Sequence, residues 1–97
     1  MSVIVAGAVH VAAEDRDRFI EENRTVVEAG RRHPGCRDLS LSPDPVDPGR
    51  VNLFEHWESQ AALDAFRAVA PRPSVSVGIV GDQVLKHEVA RTGPPFG

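Results

Sequence analysis

Hydrophobic and polar positions change period several times along the chain. Val3 to Val11, VIVAGAVHV, is a nearly unbroken apolar run rich in β-branched side chains, the mark of a strand with two dry faces. From about Glu14 to Arg32 the spacing becomes three and four. Phe19, Ile20, Asn23, Val26, Val27 and Gly30 trace one helical stripe, with Glu21, Glu22, Arg24, Glu28 and Arg31 opposite. His33-Pro34-Gly35 ends that helix, because proline disfavours helical geometry in the residue before it and glycine accepts the turn. Residues 36–41 alternate as a half-buried strand. Residues 42–50 hold three prolines and one glycine, a turn composition that joins this strand to a returning one over 51–58. Ser59 is the expected N-cap of a second helix whose inward positions are Leu63, Phe66 and Val69, and Pro71 and Pro73 stop it. Residues 74–81 fit either a helical turn or a loop, 82–91 alternate as a last strand, and 92–97 form a flexible tail.

The order β-α-β-β-α-β predicts a ferredoxin-like α+β fold, an antiparallel four-stranded sheet with two helices on one face. Helices on one side cover only one set of alternating residues. In the first strand, however, Ile4, Ala6 and Ala8 are as apolar as Val3, Val5 and Val9. A second copy packed sheet against sheet as a twofold dimer is the expected cover.

Composition narrows the rest. The 97 residues fit one domain, 1–97, that is marginal as a monomer. A net charge of −3 with scattered Lys and Arg lacks the basic face that nucleic-acid binding needs. The run Val3 to Val9 has no basic leader or cleavage site and is far shorter than the ~20 residues of a membrane span, so a cytoplasmic location is expected. Cys36, the single cysteine, has no partner for a disulfide or CxxC pair and is expected to act as a small buried hydrophobe.

Gly35-Cys36, Asp47-Pro48-Gly49 and Glu55-His56-Trp57-Glu58-Ser59, followed by Ala61 to Ala65, together resemble the antibiotic biosynthesis monooxygenase family over roughly residues 3–70. The resemblance implies a dimeric α+β barrel with a cavity between sheet and helices. Several members oxidise quinol-like or polyketide aromatic substrates with dioxygen and no metal or flavin, and others degrade haem. This chain departs from the pattern at Ala65-Phe66 and at Pro71-Arg72, where many relatives carry a histidine. It also has Gly7 where haem-degrading members have asparagine, and it has no tyrosine.

Glu55 and Trp57 lie two apart on a strand and share a face. If Val51, Leu53, Glu55 and Trp57 are the helix-facing set, a carboxylate and an indole project toward the cavity. Trp57 is then either core, with its N–H bonded to a carbonyl, or a stacking surface for an aromatic ligand. Glu55 is either an ion-paired or capping group or a catalytic base. Asn23 interrupts the apolar stripe and must bond to a strand or point into the cavity. Phe19 and Phe66 are expected cavity walls, Arg72 is either a mouth-closing residue or a solvated one, and His87 is the best acid–base candidate among the histidines. His10, His56 and His87 do not converge within one subunit, so no metal site is expected. The function so implied is a cofactor-independent monooxygenase taking an aromatic small molecule and dioxygen. The alternative is a non-oxidative binder, cyclase or isomerase using the same apolar cavity.

Overall fold

The computed structural model describes residues 1–97, and strand β1 (Val3–His10) lies at the centre of its antiparallel sheet. A short 3-10 turn (Ala13–Asp15) leads to helices α1 (Arg16–Glu22) and α2 (Arg24–Arg32). Then come strands β2 (Cys36–Pro43) and β3 (Arg50–Trp57) and helix α3 (Gln60–Val69). Two short strands, β4 (Gly81–Asp82) and β5 (Leu85–Glu88), finish the sheet. Across the sheet the order is β2-β3-β1, with β4 and β5 both pairing to the free edge of β1, all antiparallel. This is the expected ferredoxin-like arrangement, with its last strand divided in two.

The division has a steric cause on the opposite strand. Gly7 has φ +151°, and a Cβ there would sit 2.2 Å from the Gln83 carbonyl oxygen. Only glycine lets the 83–84 kink lie over β1. The predicted strand 82–91 therefore becomes two pieces. Residues 71–80 form no regular element, which resolves the choice left open for 74–81 in favour of a loop.

The single helix expected over 14–32 is broken at Asn23. Its backbone N–H reaches both the Phe19 and Ile20 carbonyls, and its side-chain Nδ2 donates to the Phe19 carbonyl at 2.9 Å. This local side-chain bond competes with continuation of the helix. The second helix starts where expected, with the Ser59 hydroxyl accepting from the Ala62 N–H at 3.1 Å. Its third inward position is corrected: Val69 is exposed, and Ala70 packs on the core instead. A step of three residues drifts by about 60° on a helix of 3.6 residues per turn, so a third member of such a series rotates away from the sheet. Gly35, with φ +85°, turns the chain from α2 into β2 as the sequence predicts.

Helices and sheet enclose two apolar clusters. One joins Val3, Val5, Leu39, Trp57, Leu63 and Phe66; the other joins Val9, Val11, Phe19, Val51 and Val77. Trp57, Leu63 and Val51 are fully buried, and each such side chain contributes about 1.5–3 kcal/mol relative to exposure. Cys36 is only half-buried, at the margin of the first cluster. Burial and then the charges of Asp38 and Glu55 push its thiol pKa up. On the outer face, Ala8 is buried, Ile4, Ala6 and Phe54 are half-buried and Leu85 is exposed, so the chain itself covers this apolar face only in part. No helix is long and apolar enough to cross a membrane.

Candidate functional site

Val51, Leu53, Glu55 and Trp57 of β3 face the helices, opposite Val9, Gly7, Val5 and Val3 of β1. Between them and α1 and α2 lies a partly open cavity of about 220 Å³. It takes walls from both clusters: Val9 and Phe19 from one, Leu39 and Phe66 from the other, with Val26, Val27, Leu41 and Leu53 between. Its two polar lining residues are Asn23 and Glu55. A larger hollow of about 410 Å³ at the start of α3 is a shallow opening beside Met1 and Glu88, and it gathers none of the candidate residues.

The Trp57 indole N–H donates to Glu55 Oε1 at 2.9 Å, and the ring is fully buried. It stacks on Phe66, with centroids 5.1 Å apart and planes 25° from parallel. Trp57 is thus core, and its partner is the neighbouring carboxylate rather than a backbone carbonyl. The ring itself does not line the cavity; Phe66, stacked on it, does. The bond fixes the Glu55 side chain and satisfies one of its oxygens, leaving the other without a partner in the chain. His33 packs edge-on against both Phe66 and Trp57, at 5.4 and 6.1 Å, so this turn residue is half-buried rather than solvated.

Asn23 takes neither of its expected roles in full. It bonds to its own helix rather than to a strand, and it also lines the cavity. Phe19 and Phe66 stand on the cavity wall with Glu55 and Asn23. Arg72 is exposed and off the wall. His87 is exposed on β5, paired with Ile4, whose neighbours Val3 and Val5 face the helices. Its side chain therefore belongs to the opposite face of the sheet, away from Glu55. Ile4 also pairs with His56, placing His56 and His87 on either side of it on that outer face. His56 Nε2 is buried there without a hydrogen-bond partner. No three His, Cys, Asp or Glu side chains gather as a metal-binding set.

Three polar features escape a reading of the sequence. Arg16 donates from Nη1 to the Asp44, Asp47 and Arg50 carbonyls at 3.1, 2.8 and 3.4 Å, tying the start of α1 to the hairpin. Asp44 closes that hairpin by accepting from the Val46 and Asp47 N–H groups and from Asn52. Hydrogen bonds from Asp47 first, then Asn52 and Val46, lower its pKa to about 2. Glu22 accepts from the Ser76 hydroxyl and N–H, both at 2.6 Å, holding loop 71–80 on α1 beside Phe19. The Ser76 hydroxyl, the Ser76 N–H and then Arg18 hold its carboxyl below the usual range against the opposing cost of desolvation. The Arg16 and Glu22 contacts join residues far apart in the chain, whereas those of Asp44 lie within one hairpin.

Haem is a poor fit to this cavity. Its walls offer no His, Cys, Met or Tyr to hold iron, and about 220 Å³ is below the ~300 Å³ at which pockets for drug-sized ligands begin.

Known proteins agree on the architecture. A candidate antibiotic biosynthesis monooxygenase from Nitrosomonas europaea superposes with a TM-score of 0.77 at 17% identity, covering 95% of this chain and 94% of that one. The haem degrader MhuD from Mycobacterium tuberculosis, whose structure holds two haems in its active site, superposes with a TM-score of 0.67 at 20% identity, covering 95% and 99%. Likeness at such identities shows the fold. An uncharacterized Synechocystis protein, sll1783, is 34% identical over 62 residues, 64% of this chain but 42% of that protein, so the match spans less than half the length of that curated relative. The antibiotic biosynthesis monooxygenase family model matches residues 2–70, well over half of the sequence, and the chain belongs to that family.

Proposed function

We propose that this protein is a cofactor-independent monooxygenase acting on a hydroxylated aromatic small molecule. The observation that carries the reading is an apolar cavity with one carboxylate on its wall, Glu55, fixed by the Trp57 N–H. A quinol bound there places a hydroxyl against the free Glu55 oxygen, the one group lining the cavity that can take its proton. The resulting electron-rich anion is the reductant. Dioxygen takes four electrons: one oxygen atom replaces a ring hydrogen as a hydroxyl while the ring becomes a quinone, and the other leaves as water. The chain contributes orientation, exclusion of water and a fixed hydrogen-bond acceptor. In this reading Glu55 is the catalytic residue, with Phe19, Phe66 and Asn23 as the binding walls. Trp57 positions Glu55, and His87 takes no part in the cavity of its own subunit.

We also propose that two copies pack through the outer sheet face, since Ile4, Ala6, Phe54 and Leu85 form an apolar patch that the chain itself covers only in part. Sedimentation as a monomer at micromolar concentration would overturn that arrangement.

A second reading, ligand binding without oxidation, is favoured by the cavity's single titratable group, which leaves a cyclase or isomerase, needing proton transfer at two positions, without a second partner. Oxygen uptake over a panel of quinols and anthrones separates the two. Uptake above the buffer rate that is lost in Glu55→Gln, with product mass raised by oxygen, is expected. No uptake from any compound overturns the oxygenase reading.

A further inference from the structure

Residues 71–80 run from α3 to β4 without regular structure, and two adjacent residues hold them to the domain. Ser76 donates its hydroxyl and its N–H to the two carboxylate oxygens of Glu22, each at 2.6 Å. Val77 is buried in the cluster with Val9, Val11, Phe19 and Val51. One other hydrogen bond, from the Val80 N–H to the His10 carbonyl at 2.8 Å, fastens the far end to β1. The neighbouring apolar side chains add little, since Val75, Ile79 and Val80 are exposed. Nothing lies within 4 Å of where a Cβ at Gly78 would stand. A ten-residue segment held by one buried side chain and one exposed carboxylate belongs to the low-stability end of a domain, from which lids are drawn.

The place where it docks matters for the cavity. Glu22 stands three residues beyond Phe19 on α1, so Ser76 and Val77 grip one region of that helix. Val80 meets β1 at the residue after Val9. The segment thus bridges α1 and the end of β1, and the residues there, Phe19 and Val9, are both members of the Val77 cluster and walls of the cavity. Withdrawing Val77 takes packing from two cavity walls at once.

We propose that residues 71–80 are a detachable strap: Ser76 and Val77 undock together while the sheet and helices stay folded, and the edge of the cavity between Phe19 and Val9 opens when they do. The proposal rests on the reading of the cavity as a ligand site, shared by both functions above, and not on oxidation. It concerns entry and exit.

Amide hydrogen exchange and methyl relaxation dispersion on the full chain, without ligand, test it. The reporter is the Val80 amide, whose own bond to His10 no substitution below removes. In the unaltered protein it should exchange at least about 100-fold faster than amides at the centre of β1, because the strap opens without global unfolding. Ser76→Ala, which keeps the N–H bond to Glu22, should speed it about threefold. Glu22→Ala, which removes both bonds, should speed it about tenfold, with the centre of β1 unchanged within about twofold. In Glu22→Ala the Val77 and Val9 methyls should show dispersion at one common rate while Val3, in the other cluster, stays flat. A Val80 amide no faster than the centre of β1, a Val80 rate indifferent to Glu22→Ala, or a flat Val9 response overturns the proposal. Neither readout involves turnover: a moving strap in a protein without oxygen uptake would sink the oxygenase reading alone, and uptake with a rigid strap would sink the proposal alone.

Discussion

Replacing Trp57 by Phe tests the pairing on which the site is built. The change keeps an aromatic ring on Phe66 but removes the N–H that meets Glu55 Oε1 at 2.9 Å. Losing a hydrogen bond to a charged acceptor costs about 1.5–3 kcal/mol. Because Glu55 is only half-buried, water can replace part of that bond, and the lower half of the range applies. The smaller ring leaves a gap on the order of 40 Å³, which at about 24 cal/mol per Å³ adds about 1 kcal/mol. The sum, about 3 kcal/mol, lowers Tm by about 12–24 °C in a domain of this size. The informative companion is Trp57→Phe with Glu55→Leu, in which neither partner is left unsatisfied. Its cost should fall back to about 1 kcal/mol, the gap alone, about 2 kcal/mol less than Trp57→Phe by itself, so the double costs less than the sum of the two singles. Urea denaturation of the four proteins at one fixed concentration measures this, the fixed concentration being needed because dimer formation shifts apparent stability. A double variant as unstable as the sum of the two singles would show that the bond contributes nothing and that the indole acts by volume alone.

Three further perturbations probe other parts of the structure. Gly7→Asn forces a Cβ into the Gln83 carbonyl, which is backbone and cannot swing aside; a loss of at least about 2 kcal/mol is expected, and a Tm within about 2 °C of the parent would refute the packing described. Phe66→Ala removes the ring between Trp57 and the cavity at a cost of about 3–5 kcal/mol, read as a fall in the urea midpoint, and a loss below about 1 kcal/mol would place Phe66 outside the core. Asp44 has a lowered folded pKa of about 2, so its stabilisation of the hairpin is complete above the unfolded carboxylate range and is lost as pH falls through about 2. The Val46 and Asp47 amide resonances should therefore hold to about pH 3 and shift with a midpoint near 2, and a midpoint near 4 would contradict the hydrogen bonds drawn to that carboxylate.

The strands and their faces were legible because alternation depends only on local geometry: Val51, Leu53, Glu55 and Trp57 share a side whatever their partners. The ends and breaks were not. Nothing in the spacing of 14–32 distinguishes a continuous helix from one interrupted at Asn23, because the break comes from a side chain bonding its own turn. The split of the last strand was marked in the sequence, though on another strand: Gly7 interrupts a β-branched run, and such a glycine signals close approach by something else. That the visitor is Gln83 depends on pairing across most of the chain. The same limit applies to His87. Its period-two pattern is readable, but which side of the sheet that pattern presents was settled only by its register with Ile4. Phe19, Phe66 and Glu55 come together because each was already inward on its own element, and cavity walls such as Leu39, Leu41 and Leu53 carry the same inward signal without any chemical label.

The carboxylate at position 55 is the residue that the fold least requires. A buried polar pair replaced on both sides by apolar groups of similar shape is often neutral or stabilising, so with a leucine at 55 and a phenylalanine at 57 the core would lose only the volume of the larger ring, not the bond. The chain instead places Glu55 on the wall of an apolar cavity, with one oxygen held by the Trp57 N–H and the other without a partner in the chain. A core designed for stability alone would avoid that acceptor, since each polar group turned toward an apolar space costs free energy unless something arrives to meet it. Departure from what packing prefers, at the one place where the two core clusters part to leave a space, is what a binding site looks like in a small domain. Under the proposed function, the group that completes the hydrogen bonding of Glu55 is a ligand hydroxyl, whose binding would offset the cost of keeping the carboxylate there.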